Sequence, residues 1–181
     1  APKFAAHQDA ISLNPVLFKR IKDLYDSRES LGLSSEDSWL LERYYKDLIH
    51  EGAHLTEDQR TRLKELNEEL SSLETQFSKN VLADTNDLAV LVDTVEELAG
   101  LSENQIASAA AAAKDRGHEG KRLIGMVNFT GNPVLDSLTN RELRKKIMED
   151  SKKKANRPNE NDNKPVLLQM VKLRAERAKL F

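Results

Sequence analysis

A single long amphipathic segment places the strongest limit on the fold of this chain. Thr56 to Gln59 reads Thr-x-x-Gln, a capping box that begins an α-helix, and this helix is predicted to continue to about Ala83. Its apolar residues are spaced alternately three and four apart: Leu63, Leu66, Leu70, Leu73 and Phe77. The spacing suits either a coiled-coil seam or a long central helix buried in a bundle. Because about two heptads make a short seam, the pattern favours the buried helix.

The composition agrees with a helical protein. The 181 residues include only 7 Gly and 5 Pro, and aromatic residues make up 5%, which argues against a fold rich in turns and strands. Hydrophobic residues reach 39%, so the chain is not of the disordered class and can bury a core, as one ordinary domain or two small ones. With 28 Lys and Arg against 30 Asp and Glu, the net charge of -2 indicates no nucleic acid and no anionic membrane as partner.

The absence of cysteine excludes disulfides, thiolate zinc sites, iron-sulfur clusters and a cysteine nucleophile, and it suits a reducing compartment. The most membrane-like run, Ala107 to Ala113, is far shorter than the ~20 apolar residues that span a bilayer. The chain begins at Ala1 without an initiator Met and stops at Leu180 and Phe181 in the middle of an apolar pattern. We therefore expect a piece of a longer protein.

Caps and breakers predict six further helices. These run from Asn14 to about Ser30, from Ser35 to Gly52, briefly after Thr94, from Ser102 to Gly117, from Asn140 to about Ala155, and from Pro165 to the terminus. Two β-prone runs, Leu88 to Val92 and Leu123 to Val127, can pair as a ribbon that helices must cover. No repeat or long linker interrupts residues 1–181, which are predicted to form one helical region. The predicted fold class is mainly α, a multi-helix bundle with a possible small two-stranded β ribbon.

The segment His50-Glu51-Gly52-Ala53-His54 matches H-E-x-x-H, in which two histidines one helical turn apart bind zinc and the glutamate activates a bound water. Glu69 and Glu74 follow as candidates for a third ligand. Such a site requires a continuous helix, because only then do both imidazoles share one face. Gly52, however, follows the last apolar pair of its helix, and a new capping box begins two residues after the motif. The motif is therefore predicted to straddle a helix end and a turn, as two surface histidines without metal.

Three other patterns carry weaker signals. Residues 141–157 hold eight basic and three acidic side chains, which is typical of a solvated helix face, and no aromatic residues interleave as in nucleic-acid sites. Asn161-Asp162-Asn163 offers oxygen ligands for calcium, but it lacks the spacing of a calcium loop, and Lys164-Pro165 marks a helix start. N-cap chemistry explains this cluster better. His7 and His118 have no acidic or nucleophilic partner at a recognisable spacing.

Short strings of sequence carry a family resemblance over nearly the whole chain. They are Ala6-His7-Gln8-Asp9-Ala10-Ile11, Asn14-Pro15-x-Leu17-Phe18, Leu31-Gly32-Leu33, Leu40-Leu41-Glu42-Arg43-Tyr44, Gly52-Ala53-x-Leu55, Leu66-Asn67-Glu68-Glu69-Leu70, Phe77-Ser78-x-Asn80-Val81-Leu82, Asn140-Arg141-Glu142-Leu143-Arg144, Asn161-Asp162-Asn163 and Leu173-Arg174-Ala175-Glu176-x-Ala178. In order and spacing they resemble the oligopeptidase family of zinc metallopeptidases, which includes peptidyl-dipeptidase, oligopeptidase A and thimet oligopeptidase. The resemblance is strongest to the peptidyl-dipeptidase branch.

The resemblance implies that these strings belong to the helical amino-terminal half of such an enzyme. Zinc is then held by a different H-E-x-x-H and a downstream Glu, in a carboxyl-terminal catalytic region without counterpart here. There zinc would polarise the scissile carbonyl and a glutamate would deprotonate the attacking water. The resemblance also makes Gly52-Ala53-x-Leu55 a turn between helices where paired histidines are not expected. Phe129 to Leu135 departs from the family pattern, since it keeps Pro-Val-Leu but lacks the preceding Pro and Tyr.

We therefore expect the amino-terminal lobe of a cytoplasmic zinc peptidase that resembles peptidyl-dipeptidase. The lobe would wall one side of a channel that admits short unstructured peptides, and the parent would release carboxyl-terminal dipeptides. Its partner would be the missing carboxyl-terminal catalytic lobe, with Leu180 and Phe181 as exposed parts of that contact. In this chain alone we expect no catalytic, cofactor-binding or metal-ligating residue and no activity.

Two interpretations from other classes remain open. A self-contained interaction module would associate through the Leu63 to Phe77 stripe and would show a mass that depends on concentration. A minimal zinc peptidase would need His50 and His54 to bind the metal directly.

Overall fold

The computed structural model describes residues 2–181, without the side chains of residues 128–132. In chain order its elements are α1 (Pro2–Ser12), α2 (Pro15–Asp26), α3 (Ser35–Glu51), α4 (Glu57–Asp87), β1 (Val90–Val92), α5 (Glu103–Asp115), β2 (Arg122–Ile124), α6 (Asn128–Ser137), α7 (Arg141–Ser151) and α8 (Lys164–Ala178). Two short 3-10 helices, Arg28–Ser30 and Glu96–Leu98, lie in connecting segments. The chain is mainly α with one small two-stranded sheet, which confirms the predicted fold class.

Side-chain caps begin the helices where the sequence predicted them. The Asn14 carboxamide oxygen accepts hydrogen bonds from the backbone N–H groups of Val16 at 2.9 Å and Leu17 at 3.1 Å. Ser102 and Gln105 form the reciprocal bonds of a capping box at the start of α5. Each cap satisfies backbone donors that the first turn of a helix leaves without partners. These helix starts are therefore confirmed. They could be predicted because each depends on a capping side chain within three residues of the helix end.

Two helices, α1 and α6, have no counterpart in the sequence prediction. The buried residues of α1 are the polar Asp9 and Ser12, so its inward face shows no apolar periodicity. Helix α6 contains Pro133, which ordinarily marks a helix boundary. The departure from the family pattern at residues 129–135 lies partly outside the described side chains. None of the helices within residues 2–181 combines the length and hydropathy that crossing a membrane requires.

The chain divides into two compact units. Unit 1 comprises Ala1–Gln76 and Leu167–Phe181, and unit 2 comprises Phe77–Val166. Helices α4 and α8 therefore each contribute residues to both units. The prediction of one helical region over residues 1–181 stays a prediction.

Unit 1 buries the beginning of the leucine stripe on α4. Leu63 and Leu66 have no exposed surface, and Leu70 is 7% exposed. Leu63 packs in a cluster with Leu13 and Leu55. This confirms that the stripe belongs to a buried helix, since its first three leucines are not accessible as a coiled-coil seam.

Of Leu180 and Phe181, both predicted to be exposed, only Phe181 is exposed. Leu180 is half-buried because it packs against the cluster of Leu13, Leu55 and Leu63, so the expectation of an exposed Leu180 was wrong. Phe181 is 51% exposed, as expected.

Helices α2 and α3 form a hairpin in unit 1 that is held by aromatic contacts. The rings of Tyr25 and Tyr45 stack with centroids 4.1 Å apart, and the Arg28 guanidinium lies 4.2 Å from the Tyr25 centroid. Neither helix contains a fully buried residue. The predicted apolar face of α3 is therefore only half-buried, and Tyr44 on that face is 56% exposed.

Unit 2 is built around the two-stranded sheet. Strands β1 and β2 are antiparallel, and Val90 pairs with Ile124, Leu91 with Leu123 and Val92 with Arg122. Their inward side chains enter one core with residues of the surrounding helices: Leu88, Val90, Val92, Leu98, Ala109, Ile124, Met126, Val134, Leu138, Leu143 and Ile147. Both predicted strands, their pairing and their helical cover are confirmed, although each strand is shorter than predicted.

A buried carboxylate on α4 organises the loop between α7 and α8. Asp84 has no exposed surface and accepts hydrogen bonds from the Ala155 backbone N–H at 2.6 Å, Arg157 Nε at 3.0 Å and Asn159 Nδ2 at 3.2 Å. Arg157 also bonds Asp87 at 2.8 Å. Ala155 takes a left-handed conformation, with φ 53°, where its N–H reaches Asp84. The bonds from Arg157 lower the pKa of Asp84 below its ordinary value, against the opposing effect of burial.

The asparagine-rich cluster forms a second tie to α4. Asn163 is 3% exposed, its Nδ2 donates to the Phe77 carbonyl at 3.0 Å, and its Oδ1 accepts from Asn80 at 2.9 Å. Asp162 Oδ1 accepts from the Lys164 backbone N–H at 3.0 Å, at the start of α8. The capping role predicted for the cluster thus falls to Asp162, while Asn163 turns inward to α4.

Gly100 allows a close approach of two backbone segments in unit 2, and its replacement gives a first prediction. Its φ is +97°, and an added Cβ would lie 2.1 Å from the Ser137 carbonyl oxygen. Gly117 has φ +78° but open space around it. We expect Gly117→Ala to cost about 1 kcal/mol from backbone strain, and Gly100→Ala to cost at least about twice as much. Denaturant unfolding of the two variants measures this, and equal costs would contradict the close approach.

Removal of the Asp84 charge tests the tie between α4 and the following loop. Asp84→Asn should lower the free energy of unfolding by about 3 kcal/mol near pH 7, because it removes the charge that pairs with Arg157 and replaces one of the two acceptor oxygens by a donor that faces other donors. Asp87, the exposed carboxylate that also pairs with Arg157, offers a matched control. Asp87→Asn should lower the free energy of unfolding by less than about 1 kcal/mol.

The pH dependence of this loss of stability tests whether Asp84 is ionised in the folded protein. Since the pKa of Asp84 is lowered in the folded protein, its stabilising effect is complete above the ordinary carboxyl pKa and is lost as pH falls through the lowered pKa. The difference in unfolding free energy between the unmodified chain and Asp84→Asn should therefore stay constant from about pH 7 to 5 and shrink below about pH 4. A difference that grows on acidification would exclude an ionised Asp84.

Candidate functional site

The H-E-x-x-H motif lies at the carboxyl end of α3, where the helix stops. Helix α3 ends at Glu51, and Gly52 adopts the left-handed conformation with φ 100°. The Gly52 N–H bonds the Ile49 carbonyl at 3.0 Å, and the Ala53 N–H bonds the Leu48 carbonyl at 2.9 Å. These are the bonds of a helix C-cap. The prediction that the motif straddles a helix end and a turn is confirmed.

Packing accounts for the glycine in this motif. A Cβ on Gly52 would lie 2.7 Å from Leu63 Cδ2 and 3.1 Å from Leu55 Cδ1, so the turn is pressed against the core of unit 1. His54, after the turn, is exposed, and its ring centroid is 6.2 Å from that of Phe181. The two histidines therefore do not follow one another on a single helix face. The geometry does not fit the paired histidines of a zinc peptidase, which occupy successive turns of one helix.

A polar cleft in unit 1 brings together three of the residues that the sequence singled out. Its volume is about 720 Å³, and residues of α1, α3, α4 and α8 line it. His50, Glu51 and Glu74 border this cleft, while His54 and Glu69 do not. Glu69 instead lies 3.8 Å from Arg62 Nη1. In the described part of the chain, no three His, Asp or Glu side chains are placed so as to hold a metal ion.

Asp9 is a buried acid in this cleft that sequence reasoning missed. It is 6% exposed, and its Oδ1 accepts a hydrogen bond from Asn67 Nδ2 at 2.8 Å. Burial raises the pKa of Asp9, and the bond from Asn67 as well as the charges of Lys64 and Arg177 oppose this rise. A carboxyl group whose pKa is raised in a cleft is a typical feature of functional sites. The only advance signal was its position in the string Ala6 to Ile11.

Two arginines of α8 complete the charges of the cleft. Arg174 forms an ion pair with Glu74 at 2.9 Å. Arg177 also borders the cleft, and its Nε is buried without a hydrogen-bond partner among the described residues. A buried donor without a partner is costly, and the Arg177 side chain also carries a positive charge at the border of the cleft. The cleft therefore offers a cation for an anionic group and, at Asp9 and Glu51, acids for a cationic group.

The remaining candidates from the sequence have structural contacts. In the basic stretch 141–157, Lys153 pairs with Asp150 at 2.8 Å, Lys154 Nζ donates to the Met126 carbonyl at 2.9 Å, and Arg157 binds Asp84. His7 and His118 are exposed. Neither histidine borders the polar cleft.

The raised pKa of Asp9 gives a prediction about stability. Above its raised pKa the buried carboxylate destabilises the folded chain, and below the ordinary carboxyl pKa this penalty is absent. Asp9→Asn should therefore stabilise the chain at pH 7, on the order of 1 kcal/mol or less, and the gain should vanish towards pH 3. Thermal unfolding of Asp9→Asn and of the unmodified chain over this pH range measures the effect. A gain that increases on acidification would show that Asp9 is charged at low pH and would contradict its raised pKa.

Comparison with known proteins gives relatives of one kind. The chain is 35% identical to dipeptidyl carboxypeptidase of Escherichia coli strain K12 over 94% of its own length and 25% of that enzyme. It is 33% identical to dipeptidyl carboxypeptidase of Salmonella typhimurium strain LT2, over 99% of the chain and 26% of the enzyme. Oligopeptidase A of Haemophilus influenzae is 28% identical over 99% of the chain and 27% of the enzyme. A scan against models of protein families found no match.

The chain thus spans about a quarter of the length of the curated relatives it matches. Similarity extends over almost all of its residues, so both units are included in the match. This confirms the resemblance carried by the ordered strings of the sequence. The relatives of the chain are thus dipeptidyl carboxypeptidase and oligopeptidase A, and the chain corresponds to the amino-terminal part of such enzymes.

Proposed function

We propose that this chain is the non-catalytic, amino-terminal lobe of a zinc-dependent oligopeptidase of the peptidyl-dipeptidase type. The parent enzyme would hydrolyse short peptides and release carboxyl-terminal dipeptides. The observation that carries this proposal is the match over 94–99% of the chain to about a quarter of two dipeptidyl carboxypeptidases.

The non-catalytic role rests on the chain's own geometry. Its H-E-x-x-H segment is interrupted by the left-handed Gly52, and the described residues offer no three-ligand group for a metal. In this proposal, zinc and the residues that activate water belong to the carboxyl-terminal lobe of the parent. This chain alone is then inactive.

The proposed task of the lobe is to wall the channel through which short unstructured peptides reach the catalytic lobe. The polar cleft supports this role, because the cation of Arg177 and the acids Asp9 and Glu51 lie in the same lining. A short peptide carries a carboxylate at one end and an ammonium at the other, and charge complementarity of this kind favours its approach.

The proposal also includes the cellular location of the parent protein and the kinds of partner it has. We place the parent in the cytoplasm, with neither nucleic acid nor a membrane as partner. The lack of cysteine and the net charge of -2 support this assignment. The alternative of an interaction module through the Leu63 to Phe77 stripe has less support, because Leu63, Leu66 and Leu70 are buried in unit 1.

The decisive experiment uses the complete reading frame that contains this chain. The full protein should release dialanine from acetyl-tetraalanine, a chelator should abolish this activity, and added zinc should restore it. The 181-residue chain should release none. A reading frame without a second H-E-x-x-H, or a full protein without chelator-sensitive peptidase activity, would contradict the proposal.

A variant of the full protein tests the role of the first motif. Replacing His54, which does not border the polar cleft, by Ala should leave kcat/KM within about twofold of the unmodified enzyme. Zinc content measured by atomic absorption should also be unchanged. Loss of both zinc and activity in this variant would instead establish the minimal zinc peptidase.

A further inference from the structure

Unit 2 contains an apolar cavity that the proposed function does not use. Its volume is about 500 Å³, within the range of small-molecule sites. Helix α5 lines it with Ser108, Ala109 and Ala112, and Arg116 lines it directly after the helix end. Ile124 and Met126 line it from β2 and the residue pair that follows. Because the α5 residues recur at intervals of three and four, they share one face of the helix. The small side chains on this face leave the space that forms the cavity.

The cavity is long enough for an extended chain. Its lining along α5 and the C-cap residue that follows extends from Asn104 to Arg116. At 1.5 Å per residue these positions are about 18 Å apart along the helix. An alkyl chain or a short extended peptide therefore fits along α5, with one end beside Arg116.

Arg116 gives the cavity its charge. Its Nη1 donates to the Asn86 carbonyl oxygen at 2.9 Å and its Nη2 donates to Asn86 Oδ1 at 3.0 Å. Among the described residues that line the cavity, Arg116 is the only charged one, and none of the chain's described carboxylates forms an ion pair with it. The nearby Asp87 is engaged by Arg157 at 2.8 Å. The guanidinium is thus oriented by Asn86 and keeps donors for a further acceptor.

We propose that this cavity binds an apolar chain that ends in a single carboxylate. The tail lies along Ala109 and Ala112, and the carboxylate accepts hydrogen bonds from Arg116. Charge complementarity supports this ligand class, since a carboxylate matches the planar guanidinium, whereas a cationic head group would meet like charge. Two sources share this chemistry: a fatty acid and the free carboxyl end of an apolar peptide. The proposal does not depend on the assignment to a peptidase.

The test compares three ligands with the same tail. Octanoate, octan-1-ol and octylamine are titrated into the 181-residue chain by calorimetry, and octanoate should bind about tenfold more tightly than the other two. Arg116→Gln should weaken octanoate binding by about tenfold and leave octan-1-ol unaffected. Ala112→Leu, which fills the cavity, should weaken both. Lys114→Gln removes a positive charge from the same helix outside the cavity and should change neither.

Methyl chemical shifts provide a second measurement that needs no variant. Octanoate should shift the methyl signals of Ile124 and Met126, while the methyl signals of Leu63 and Leu66 in unit 1 stay unchanged. This keeps the proposal testable if Ala112→Leu does not fold.

Two acetylated peptides separate the sources of the carboxylate. Acetyl-Leu-Leu-Val with a free carboxyl end, bound more tightly than octanoate and than its amide, would identify a peptide end as the ligand. Octanoate bound without the peptide would identify a fatty acid. The proposal is overturned if octylamine binds as tightly as octanoate, if Arg116→Gln leaves octanoate affinity unchanged, or if octanoate shifts no methyl signal in the cavity.

Discussion

The buried carboxylate of Asp84 is the constraint on which the second half of this chain depends. A carboxylate without solvent access is stable only when donors surround it, and here the donors come from Ala155, Arg157 and Asn159. The loop after α7 must therefore return to α4, and Ala155 is held in a left-handed conformation. Asn80 lies four residues before Asp84, on the same face of α4, and binds Asn163. Two ties on one helix face thus fix the loop up to the beginning of α8.

Asp9 shows the opposite outcome for the same residue type. Both acids are less than a tenth exposed, but Asp84 accepts bonds from a guanidinium, whereas Asp9 accepts one from the neutral Asn67. The pKa of Asp84 is accordingly lowered, and that of Asp9 is raised. The partner, more than burial itself, decides whether the pKa of a buried acid is lowered or raised. For this reason Asp9 belongs with the candidate site, and Asp84 belongs with the fold.

The parts of the structure that were predicted from the sequence depend on local interactions. Asn14 and Ser102 begin helices through bonds to residues two or three positions away, and Gly52 ends a helix through its own backbone conformation. The pairing of β1 with β2 followed from two short apolar runs in an otherwise helical sequence. These features were predictable because each one is encoded within a few consecutive residues.

The features that were missed depend on residues far apart in the sequence. The partners of Asp84 are 71 to 75 residues away, and the Asp9 partner is 58 residues away. The inward face of α1 is polar, since Asp9 on this face is bonded to Asn67 on α4. The sequence of α1 therefore has no apolar periodicity from which the helix could be predicted. Burial of Leu180 likewise depends on a cluster assembled from three other parts of the chain. Only the fold reveals such contacts, and one of them, between Asp9 and Asn67, lies in the polar cleft.

The zinc-like motif shows how local backbone signals can limit a functional interpretation. The pattern H-E-x-x-H describes a zinc site only where the backbone is helical throughout, and a glycine at the middle position of the motif allows another structure. Here Gly52 takes the left-handed conformation, and its missing Cβ leaves room for Leu63. Gly52 therefore ends the helix and allows the turn to pack closely against the core of unit 1. The turn replaces the continuous helix that zinc binding needs. Among the residues that the structure describes, the features open to a ligand are the cleft in unit 1, which carries both charges, and the apolar cavity in unit 2, whose described lining includes one arginine.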